Sequence, residues 1–447
     1  MPAPRLCFIA NFNKTEFFHA WAQALGPRAA ETCWITTNRR LYRWLSERYP
    51  VDQILLINWE TRQSKAEPLG EFRLRELVFG DRCLRHRMEE GIHWLTAIQQ
   101  PIAGFLGRNG VTRVLGEVTW AHEILVHRMT RELPSLGCTY LNPHTVRIPN
   151  GRFAFFLDEF QTELLPSGAE LPGEEELAQA FTVRKPDYLA LNDRLLQQSR
   201  SLGARLGKVK RYLTRENIDP LDPTLIDDRW LQFRLRAREE WNKEAYRRVP
   251  REPLETLQGQ RFAFLTLHKQ PEASIDVLGR YVEDQLRNIE ALWRRLPTGC
   301  LLVVKEHTNA IGDRSPTFYR DVQRLPGVVL VDERADSHVL AAAAEIVLTV
   351  SGTAAYEAAL LGKASATLAP AFFNRLRGCR YLGTEAPLGV GFPGKADEAG
   401  MDREAFRRWL WQHSHPGIIS DPRSNPACMG VENLLLLGGI NPGLERR

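Results

Sequence analysis

The stretch "EIVLTVSGTAAYEAALLGKASATLA" (residues 345–369) decides the fold of this chain. An apolar strand leads into the small turn "SGT", then into a helix that ends on Gly362, and then into a further short strand. A strand, a helix and a strand in this order form a βαβ unit, so the two strands run parallel. Parallel sheets are covered by helices on both faces, which explains the near-continuous apolar run of the first strand. The stretch therefore predicts an open parallel α/β sheet of the Rossmann type.

The residues before this stretch repeat the same alternation. Three further strands are predicted at "RFAFLTL" (261–267), "CLLVVKEH" (300–307) and "GVVLVD" (327–332). Between them we predict a long helix over Val277–Leu296 and a second helix that Ser315 caps and Pro316 begins. "SHVLAAAA" predicts a short helix before residue 345. The C-terminal half is thus predicted to be a Rossmann-like domain.

The N-terminal half shows the alternation less cleanly. Its predicted strands are "RLCFIA", "TCWITT", "QILLINW" and "RVLGEV", with helices around "EFFHAWAQAL" and "TWAHEILVHRMTREL". A charged helical region with the break "NIDPLDPTLIDD" joins the halves, and "MGVENLLLLGGI" predicts a final amphipathic helix. We predict an acceptor-side domain (1–187), a helical connector (188–255), a donor domain (256–395) and C-terminal helices that cross back (396–447). Two Rossmann-like domains joined in this way describe the glycosyltransferase-B (GT-B) arrangement.

Composition narrows the class of protein. The chain has 447 residues, of which 43% are hydrophobic and 25% charged, as in an ordinary globular protein of two domains. The N-terminal residues do not resemble a secretory signal, and no apolar run reaches the ~20 residues of a membrane span. Seven scattered cysteines without a CxxC pair predict reduced thiols in a cytoplasmic protein. A net charge of +5 suits anionic small molecules or a membrane surface and argues against nucleic acid as a partner.

Polar residues follow every strand of the C-terminal half. They are His268, Lys269, Gln270 and Glu272 after the first strand, Lys305, Glu306 and His307 after the second, Asp332, Glu333 and Arg334 after the third, and Ser351, Gly352 and Thr353 after the fourth. Ligands of open parallel sheets bind beyond the carboxyl ends of the strands. A purely structural sheet has no reason to end every strand in such a cluster, so this edge is predicted to bind a ligand.

The "SGT" turn is the clearest part of that edge. Ser351 and Gly352 lie where a strand enters a helix, so N–H groups and the helix dipole favour a phosphate there. The hydroxyls of Ser351 and Thr353 add donors, and Glu357 is placed to accept hydrogen bonds from a ribose. The alternative is an ordinary N-cap by Ser351, with Glu357 as a solvated helical residue.

Two more residues are candidates for chemistry. His307 can donate to a base, a phosphate or a leaving oxygen with Lys305 screening negative charge, although it can equally be a capping histidine. Glu117 follows the strand "RVLGE", where a carboxylate can act as a general base or stabilise a developing cation, with His122 and Glu123 in support. Its alternative is a favourable interaction with the dipole of the next helix. Asp158 and Glu159 are weaker candidates for which a structural role is favoured.

The sequence contains no Asp-x-Asp triplet, which argues against a transferase that holds a diphosphate through Mg²⁺. Backbone donors and basic side chains would then stabilise the leaving group. His413 and His415 in "HSHP" lack further ligands and are interpreted as solvated. We therefore predict no metal and no cofactor other than the donor substrate.

The run from Phe262 to Gly383, with "QPEAS", "VVKEH", "LVDERAD" and "TVSGTAAYEAALLGKA", resembles the capsule polysaccharide biosynthesis family, which includes bacterial β-Kdo transferases that use CMP-Kdo. "GEVTWAHE" and "RIPNGRFAFFLDE" are similar to patches of the same family. The family's Gln-Pro motif falls on Gln270-Pro271 and its His-Pro motif on His307-Thr308, with threonine in place of proline.

The resemblance implies a metal-independent GT-B glycosyltransferase of bacterial surface polysaccharide assembly, with CMP-Kdo as donor and a glycan or glycolipid as acceptor. It implies that His307, Ser351 and Thr353 bind the donor nucleotide, with Glu117 as catalytic carboxylate, and that a Kdo donor reacts with retention. The donor site would comprise His268, Gln270, Lys305, Glu306, Ser351, Gly352, Thr353 and Glu357.

Two other functions stay open at this point, a nucleotide-sugar epimerase of the same architecture and a non-catalytic subunit of a polysaccharide assembly complex. A cytoplasmic location is predicted, with possible contact to the inner membrane through "RLGKVKRYLTR" (205–215), for which a solvated helix face is the alternative.

Overall fold

The computed structural model describes residues 5–12, 14–24, 31–63, 67–183, 219–383, 400–417 and 419. The predicted tail helix (429–440), the basic segment 205–215 and the proposed domain boundaries near 187 and 395 lie outside the described residues. The boundaries therefore stay a prediction.

The first half of the chain forms a mixed sheet. Its strands are β1 (Leu6–Ala10), β2 (Cys33–Thr36), β3 (Ile54–Leu56), β4 (Arg113–Leu115), β5 (Thr139–Thr145) and β6 (Arg152–Phe156). Its helices are α1 (Lys14–Ala24), α2 (Arg39–Ser46), α3 (Leu74–Gly80), α4 (Met88–Ala97), α5 (Gln99–Arg108), α6 (Ala121–Glu132) and α7 (Glu174–Ala180). Strands β1 to β5 are parallel in the order β3-β2-β1-β4-β5, and β6 is antiparallel to β5. The antiparallel hairpin of β5 and β6 was not predicted from the sequence.

The second half forms a fully parallel sheet. After helix α8 (Arg229–Tyr246), its strands are β7 (Arg261–Thr266), β8 (Cys300–Lys305), β9 (Val328–Val331), β10 (Ile346–Thr349), β11 (Ser365–Thr367) and β12 (Cys379–Tyr381). Its helices are α9 (Ala273–Asp276), α10 (Gln285–Trp293), α11 (Pro316–Gln323), α12 (Ser337–Ala343) and α13 (Thr353–Leu360). The order is β12-β11-β10-β7-β8-β9, with every pair parallel. This is the doubly wound order of the Rossmann fold, as the stretch 345–369 predicted.

Both sheets are covered on both faces. Alternate residues of a strand point to opposite faces of the sheet, and here both sets of side chains are buried. In β1, Cys7 and Ile9 pack into one cluster of buried side chains, and Phe8 packs into another. In β7, Ala263 and Phe264 divide between two clusters in the same way. The chain is thus an α/β protein with two Rossmann-like domains.

Residues 403–416 return to the first domain. Helix α14 (Arg403–Gln412) buries Phe406 and Leu410 in a cluster that also contains Tyr356 of α13 and Leu177 of α7. The short strand β13 (His415–Pro416) then pairs antiparallel with β6. Helix α14 and strand β13 thus pack against the first domain, whereas the predicted crossing by the tail helix stays a prediction.

One helix was predicted wrongly. Val277–Leu296 is not continuous, because α9 ends at Asp276 and α10 begins only at Gln285. The side chain of Asp284 caps α10 by accepting from the N–H groups of Leu286 and Arg287. The intervening segment instead reaches the first domain, where Arg280 pairs with Glu159 at 2.7 Å.

The cap of α11 also differs in detail. The helix begins at Pro316, as predicted, but the Ser315 side chain makes no capping bond to the backbone. Its hydroxyl instead lies 2.5 Å from the hydroxyl of Thr317.

Among the residues that the structure describes, no helix is both long and apolar enough to cross a membrane.

Candidate active site at the two switch points

The strand order defines one crevice in each domain. In a doubly wound sheet, ligands bind where the chain leaves neighbouring strands in opposite directions. In the second domain that point lies between β7 and β10, and in the first between β1 and β4. His268 and the "SGT" turn follow β7 and β10, whereas Lys14 and Glu117 follow β1 and β4. The candidate residues therefore gather at the positions where such folds bind ligands.

In the second domain, His268 organises the turn after β10. Its Nε2 accepts the N–H of Ser351 at 3.3 Å and lies 2.9 Å from the Thr349 hydroxyl. The ring is buried, and burial first, then the positive charges of His307 and Arg314, lowers the pKa of His268 to about 3. A neutral ring with an unprotonated Nε2 is therefore built into the turn, which makes His268 a positioning residue.

Position 352 has to be a glycine because there is no room for a Cβ atom. A Cβ atom at this position would lie 2.6 Å from the Thr349 Oγ1 and 3.2 Å from the Cε1 of His268. Its own N–H donates to the Thr349 hydroxyl at 3.2 Å. Any side chain would push the turn away from His268, so the turn fits closely over the ring.

The donors at this edge differ from the prediction. The N–H groups of Ser351 and Gly352 are used by His268 and Thr349, and the Ser351 hydroxyl donates to the Ser274 carbonyl at 2.6 Å. By helix geometry, the N–H groups in the first turn of α13, from Thr353 onward, have no partner within the helix. These are the groups that can face an anion at this edge.

The Thr353 hydroxyl is also engaged, since it donates to Glu357 at 3.0 Å. Burial raises the pKa of Glu357, whereas Thr353, His338 and Arg147 lower it. Arg147 belongs to the first domain, and the Tyr356 hydroxyl donates across the same junction to the Ile148 carbonyl at 2.7 Å. The first turns of α13 therefore meet both domains.

His307 lies exposed at the end of β8. Its Nδ1 accepts the N–H of Asn309 at 3.2 Å, so Nε2 carries the proton in the neutral ring and is directed elsewhere. The residue thus caps the following turn, as the alternative interpretation held. The same geometry also leaves a ring N–H for a ligand.

Lys305 and Glu306 make mainly internal contacts. The ammonium of Lys305 donates to the Ser337 hydroxyl at 2.8 Å, and burial lowers the pKa of Lys305. Glu306 is fully buried and accepts from Arg314 at 2.6 Å and from the Tyr319 hydroxyl at 2.7 Å. Glu306 therefore holds the loop after β8 in place, which differs from the direct nucleotide contact predicted for it.

Gln270 is fixed in the same way. Its amide donates to Asp276 at 2.9 Å, and its carbonyl oxygen accepts from Gln285 at 3.2 Å. Its backbone N–H donates to Asp313 at 3.2 Å, which ties the loop after β7 to the loop after β8. The predicted donor residues are therefore brought together at one edge.

In the first domain, Glu117 forms an ion pair with Lys14 at 2.8 Å, and the two side chains are 15% and 18% exposed. Gly116 brings the chain close to Tyr140, whose hydroxyl donates to the Glu117 carbonyl at 3.3 Å. The carboxylate therefore stands at the switch point with a cation beside it and partial access to solvent.

His144 of β5 lies close enough to Glu117 and Lys14 for their charges to act on its ring. Burial lowers the pKa of His144, while Glu117 raises it and both Arg147 and Lys14 lower it further. Arg147 also acts on Glu357 of α13. The charge of Arg147 thus acts on both His144 and Glu357, and the sequence had not pointed to His144 or Arg147 as residues of the site.

Glu123 and His122 lie behind the crevice. Glu123 is fully buried and accepts from Asn11 at 3.1 Å and from the N–H of Thr119 at 3.0 Å. Burial first, then the charge of Glu117, raises the pKa of Glu123 to about 8. His122 is also buried, and burial lowers its pKa to about 3. Glu123 thus supports the start of α6 through the N–H groups of Thr119 and Trp120, whereas His122 packs against the ring of Trp94.

The first crevice has an aromatic wall that was not predicted. Phe12 is 46% exposed and adopts a left-handed backbone with φ of 40°, which is unusual for such a residue. Its ring lies 5.7 Å from that of Trp120, and the Arg82 guanidinium lies 4.3 Å from the Trp120 ring. Phe12 is two residues from Lys14, and Trp120 is three residues from Glu117. The signal in the sequence was a phenylalanine in the otherwise polar "NFNK".

Asp158 and Glu159 have structural partners. Asp158 accepts from the N–H groups of Thr162 and Glu163, both at 2.8 Å. Glu159 binds Arg128 at 2.7 Å and Arg280 of the second domain at 2.7 Å. Asp158 thus shapes a turn, and Glu159 joins the two domains.

His413 hydrogen-bonds the Trp409 carbonyl, and His415 is buried against Phe153. Neither is solvated as predicted, because α14 and β13 pack against the first domain. Within the described ranges, no group of three or more His, Cys, Asp or Glu side chains is arranged to hold a metal ion.

Comparisons with known proteins give distant similarities of fold. Two solved structures of Thermosulfurimonas dismutans KpsC are similar to the chain. The β-Kdo 2,7 transferase is 12% identical, with 76% of this chain and 89% of that one covered and a TM-score of 0.36. The β-Kdo 2,4 transferase is 13% identical, with 69% and 82% covered and a TM-score of 0.34.

UDP-GlcNAc 2-epimerase of Neisseria meningitidis, bound to UDP-GlcNAc, is 12% identical, with 85% and 88% covered and a TM-score of 0.25. No family model and no curated protein matches the chain. At these identities and TM-scores the similarity says nothing about activity, so the site has to be interpreted from this chain's own residues.

Proposed function

We propose that the chain is a metal-independent glycosyltransferase of bacterial surface polysaccharide biosynthesis, with CMP-Kdo as the first candidate donor. The observation that carries the proposal is the gathering of two different residue sets at the two switch points. One contains His268 and the "SGT" turn, and the other contains Glu117 and Lys14. A nucleotide donor and a reacting hydroxyl need these two kinds of site.

The donor would lie on the second domain. The N–H groups in the first turn of α13 would face its phosphate, and Glu357 would accept from the ribose. The Nε2–H of His307 would donate to the phosphate or the leaving oxygen. His268, Gln270 and Glu306 would act by holding these loops, as their contacts with Ser351, Asp276 and Arg314 indicate.

The acceptor would enter from the first domain. The Glu117 carboxylate would act as general base toward an acceptor hydroxyl or stabilise the cationic character of the sugar, with the Lys14 ammonium 2.8 Å away. The exposed Phe12 ring, which packs on the buried Trp120, offers apolar ring surface, and the adjacent Arg82 offers a cation. These features suit a glycan or glycolipid with acidic groups.

In this proposal the protein works in the cytoplasm and touches the inner membrane when the acceptor is lipid-linked. Domain closure around the crevice would exclude water from the reaction. Arg147, between His144 and Glu357, is the residue best placed to sense that closure.

Thermal unfolding with CMP, UDP, GDP and TDP tests the donor site, on wild type, His307→Ala and the exposed control His93→Ala. A ligand at a hundredfold excess over its dissociation constant stabilises by about 2.7 kcal/mol. We expect stabilisation by CMP in wild type and in the control, and a weaker effect in His307→Ala. Stabilisation by UDP alone would show that the donor is a UDP-sugar and not CMP-Kdo. No stabilisation by any nucleotide would overturn the proposal in favour of a non-catalytic subunit.

Incubation with CMP-Kdo or UDP-GlcNAc, with and without a glycan acceptor, separates transfer from epimerisation. A transferase needs the acceptor for more than slow hydrolysis. Interconversion of the free nucleotide sugar without any acceptor would establish the epimerase instead.

A further inference from the structure

Helix α8 carries a row of exposed aromatic side chains. Trp230, Phe233 and Trp241 are 66%, 55% and 71% exposed, and the rings of Trp230 and Phe233 stack at 5.7 Å. With 3.6 residues per turn, these positions and Ala237 between them lie along one face of the helix. Single exposed apolar residues are normal on a protein surface, but three aligned on one helix mark an interaction surface.

The opposite face of α8 is firmly packed. Asn242 and Tyr246 are buried, and Asn242 donates to the Gly312 carbonyl at 3.0 Å. The Tyr246 hydroxyl donates to Glu333 at 3.1 Å. The helix is therefore fixed to the second domain, with its aromatic row directed away from it.

The charges in the first ten residues of α8 are all positive. Residues 229–238 contain the four arginines Arg229, Arg234, Arg236 and Arg238 and no carboxylate. In the described part of the chain, Arg229, Arg234 and Arg238 form no ion pair, whereas Glu240 and Glu244 further along are paired with Lys243 and Arg247. The N-terminal part of the row thus lies in a positive field.

We propose that this face of α8 binds the surface of a bilayer that contains anionic lipids. Tryptophan side chains favour the boundary between lipid and water, and arginines beside them attract anionic headgroups. A second copy of the chain fits this face less well. If two α8 helices paired in parallel, the arginines of one would face the arginines of the other. If they paired antiparallel, the arginines would face Glu240 and Glu244, whose charges Lys243 and Arg247 already neutralise. The inference deepens the membrane contact of the proposed function, but it does not depend on the donor site.

Such binding would bring the donor edge close to the membrane. Asn242 holds Gly312, and the next residue, Asp313, accepts the N–H of Gln270 in the loop after β7. One short set of hydrogen bonds therefore connects the membrane-facing helix with the candidate site. A lipid-linked acceptor could reach the crevice without leaving the bilayer.

The test is co-sedimentation of the full chain with POPG/POPC vesicles and with pure POPC vesicles, at low and at physiological salt. The first variant is Trp230→Ala/Phe233→Ala/Trp241→Ala, and the second is Arg229→Gln/Arg234→Gln/Arg238→Gln. The control is Val51→Ala/Leu361→Ala/Tyr381→Ala, which removes three exposed apolar side chains elsewhere. Each arginine near an anionic surface contributes roughly fivefold, so we expect the second variant to lose about a hundredfold of its partitioning.

Wild type and control should bind POPG vesicles more weakly as salt rises and should not bind POPC. The aromatic variant should bind at least tenfold more weakly, while CMP-induced stabilisation stays unchanged in all variants. Equal binding by all variants would overturn the proposal. So would absence of vesicle binding, and sedimentation velocity would then show whether the aromatic row joins two copies instead. Loss of CMP binding with normal vesicle binding would contradict the donor site alone.

Discussion

The carboxyl edges of the two sheets are built differently. In the second domain, the loops after β7, β8 and β10 hold one another, through Gln270 with Asp313 and His268 with Ser351. In the first domain, the loop after β2 is held by the connector, since Asn38 donates to Asp222 at 2.8 Å and Arg39 donates to Asp219 at 2.8 Å. Asp222 and Asp219 are 184 and 180 residues away along the chain from the residues that they bind. At the second edge the loops thus bind mainly one another, whereas the loop after β2 in the first domain depends on residues about 180 positions away.

This difference matches the chemistry proposed for each domain. A nucleotide presents a constant phosphate and ribose, which a self-contained edge can bind in fixed geometry. Acceptors vary more, and an edge completed by loops and a connector can change without disturbing the sheet. The following predictions test whether the two edges are as separate as this comparison suggests.

The largest effect is expected for Glu117→Gln. Removing a general base or a charge that stabilises the transition state costs about 10²–10⁴-fold in rate. Transfer from CMP-Kdo to a glycan acceptor should fall by that factor, while CMP-induced stabilisation should persist, because Glu117 belongs to the other edge. The exposed Glu132→Gln serves as the control. If Glu117→Gln abolishes nucleotide binding, the two edges are not separate.

A large loss of stability is expected for Arg314→Met. The substitution removes the guanidinium that pairs with the fully buried Glu306 carboxylate, which keeps its hydrogen bond from the Tyr319 hydroxyl. Breaking a buried pair from one side costs about 3–5 kcal/mol. Urea unfolding followed by circular dichroism measures the change.

The conservative control for this variant is Arg314→Lys, which keeps the charge and should recover part of the stability. A loss below about 1 kcal/mol in Arg314→Met would show that water reaches Glu306 and that the loop after β8 is not held as described.

A smaller effect is expected for Gly352→Ala. The added methyl group would meet the Thr349 hydroxyl at 2.6 Å, so the turn has to move, at a cost of about 1–3 kcal/mol. Nucleotide affinity measured by calorimetry should fall with it. Gly107→Ala in α5 is the matched control, because nothing lies within 4 Å of a Cβ there and alanine favours a helix. Unchanged nucleotide binding in Gly352→Ala would remove the "SGT" turn from the donor site.

The smallest effect is a pH dependence that His268 contributes. Its pKa is lowered to about 3 in the folded chain, against about 6.5 when unfolded, so the unfolded state binds the additional proton between these values. The free energy of unfolding therefore loses nothing through His268 above pH 6.5. Below that pH, protonation of His268 in the unfolded state lowers the free energy of unfolding by about 1.4 kcal/mol per pH unit. Urea unfolding at pH 7.5, 6.5 and 5.5 should show a weaker acid loss in His268→Asn than in wild type. Parallel curves for the two proteins would contradict a neutral, buried His268.

Much of the second domain could be predicted from the sequence because its signals are local. The turn from β10 into α13 and the start of α11 at Pro316 are set by neighbouring residues. The first domain was harder, since β5 contains Asn142 and Pro143, which are disfavoured in strands, and since Asp219 contacts a residue 180 positions away. The break at Val277–Asp284 was missed for the same reason, because Arg280 is drawn to Glu159 of the other domain.

The site was predictable only in part. The sequence placed His268, Ser351 and Glu117 at strand ends, and the strand order puts them at the switch points. It could not show that Glu306 faces inward to Arg314, because orientation at a strand end depends on what packs behind it. His144 and Arg147 were missed because the hairpin that carries them was not predicted.

Strand β13 has a consequence for the order of events during synthesis. It covers the edge of β6, yet it is made about 260 residues later, which at 5–20 residues per second takes roughly 13–50 s. During that interval Arg152 and Phe153 of β6 lack their strand partners, and unpaired strand edges pair readily with other chains. Formation of β13 thus ends a period in which this part of the nascent protein is vulnerable to aggregation.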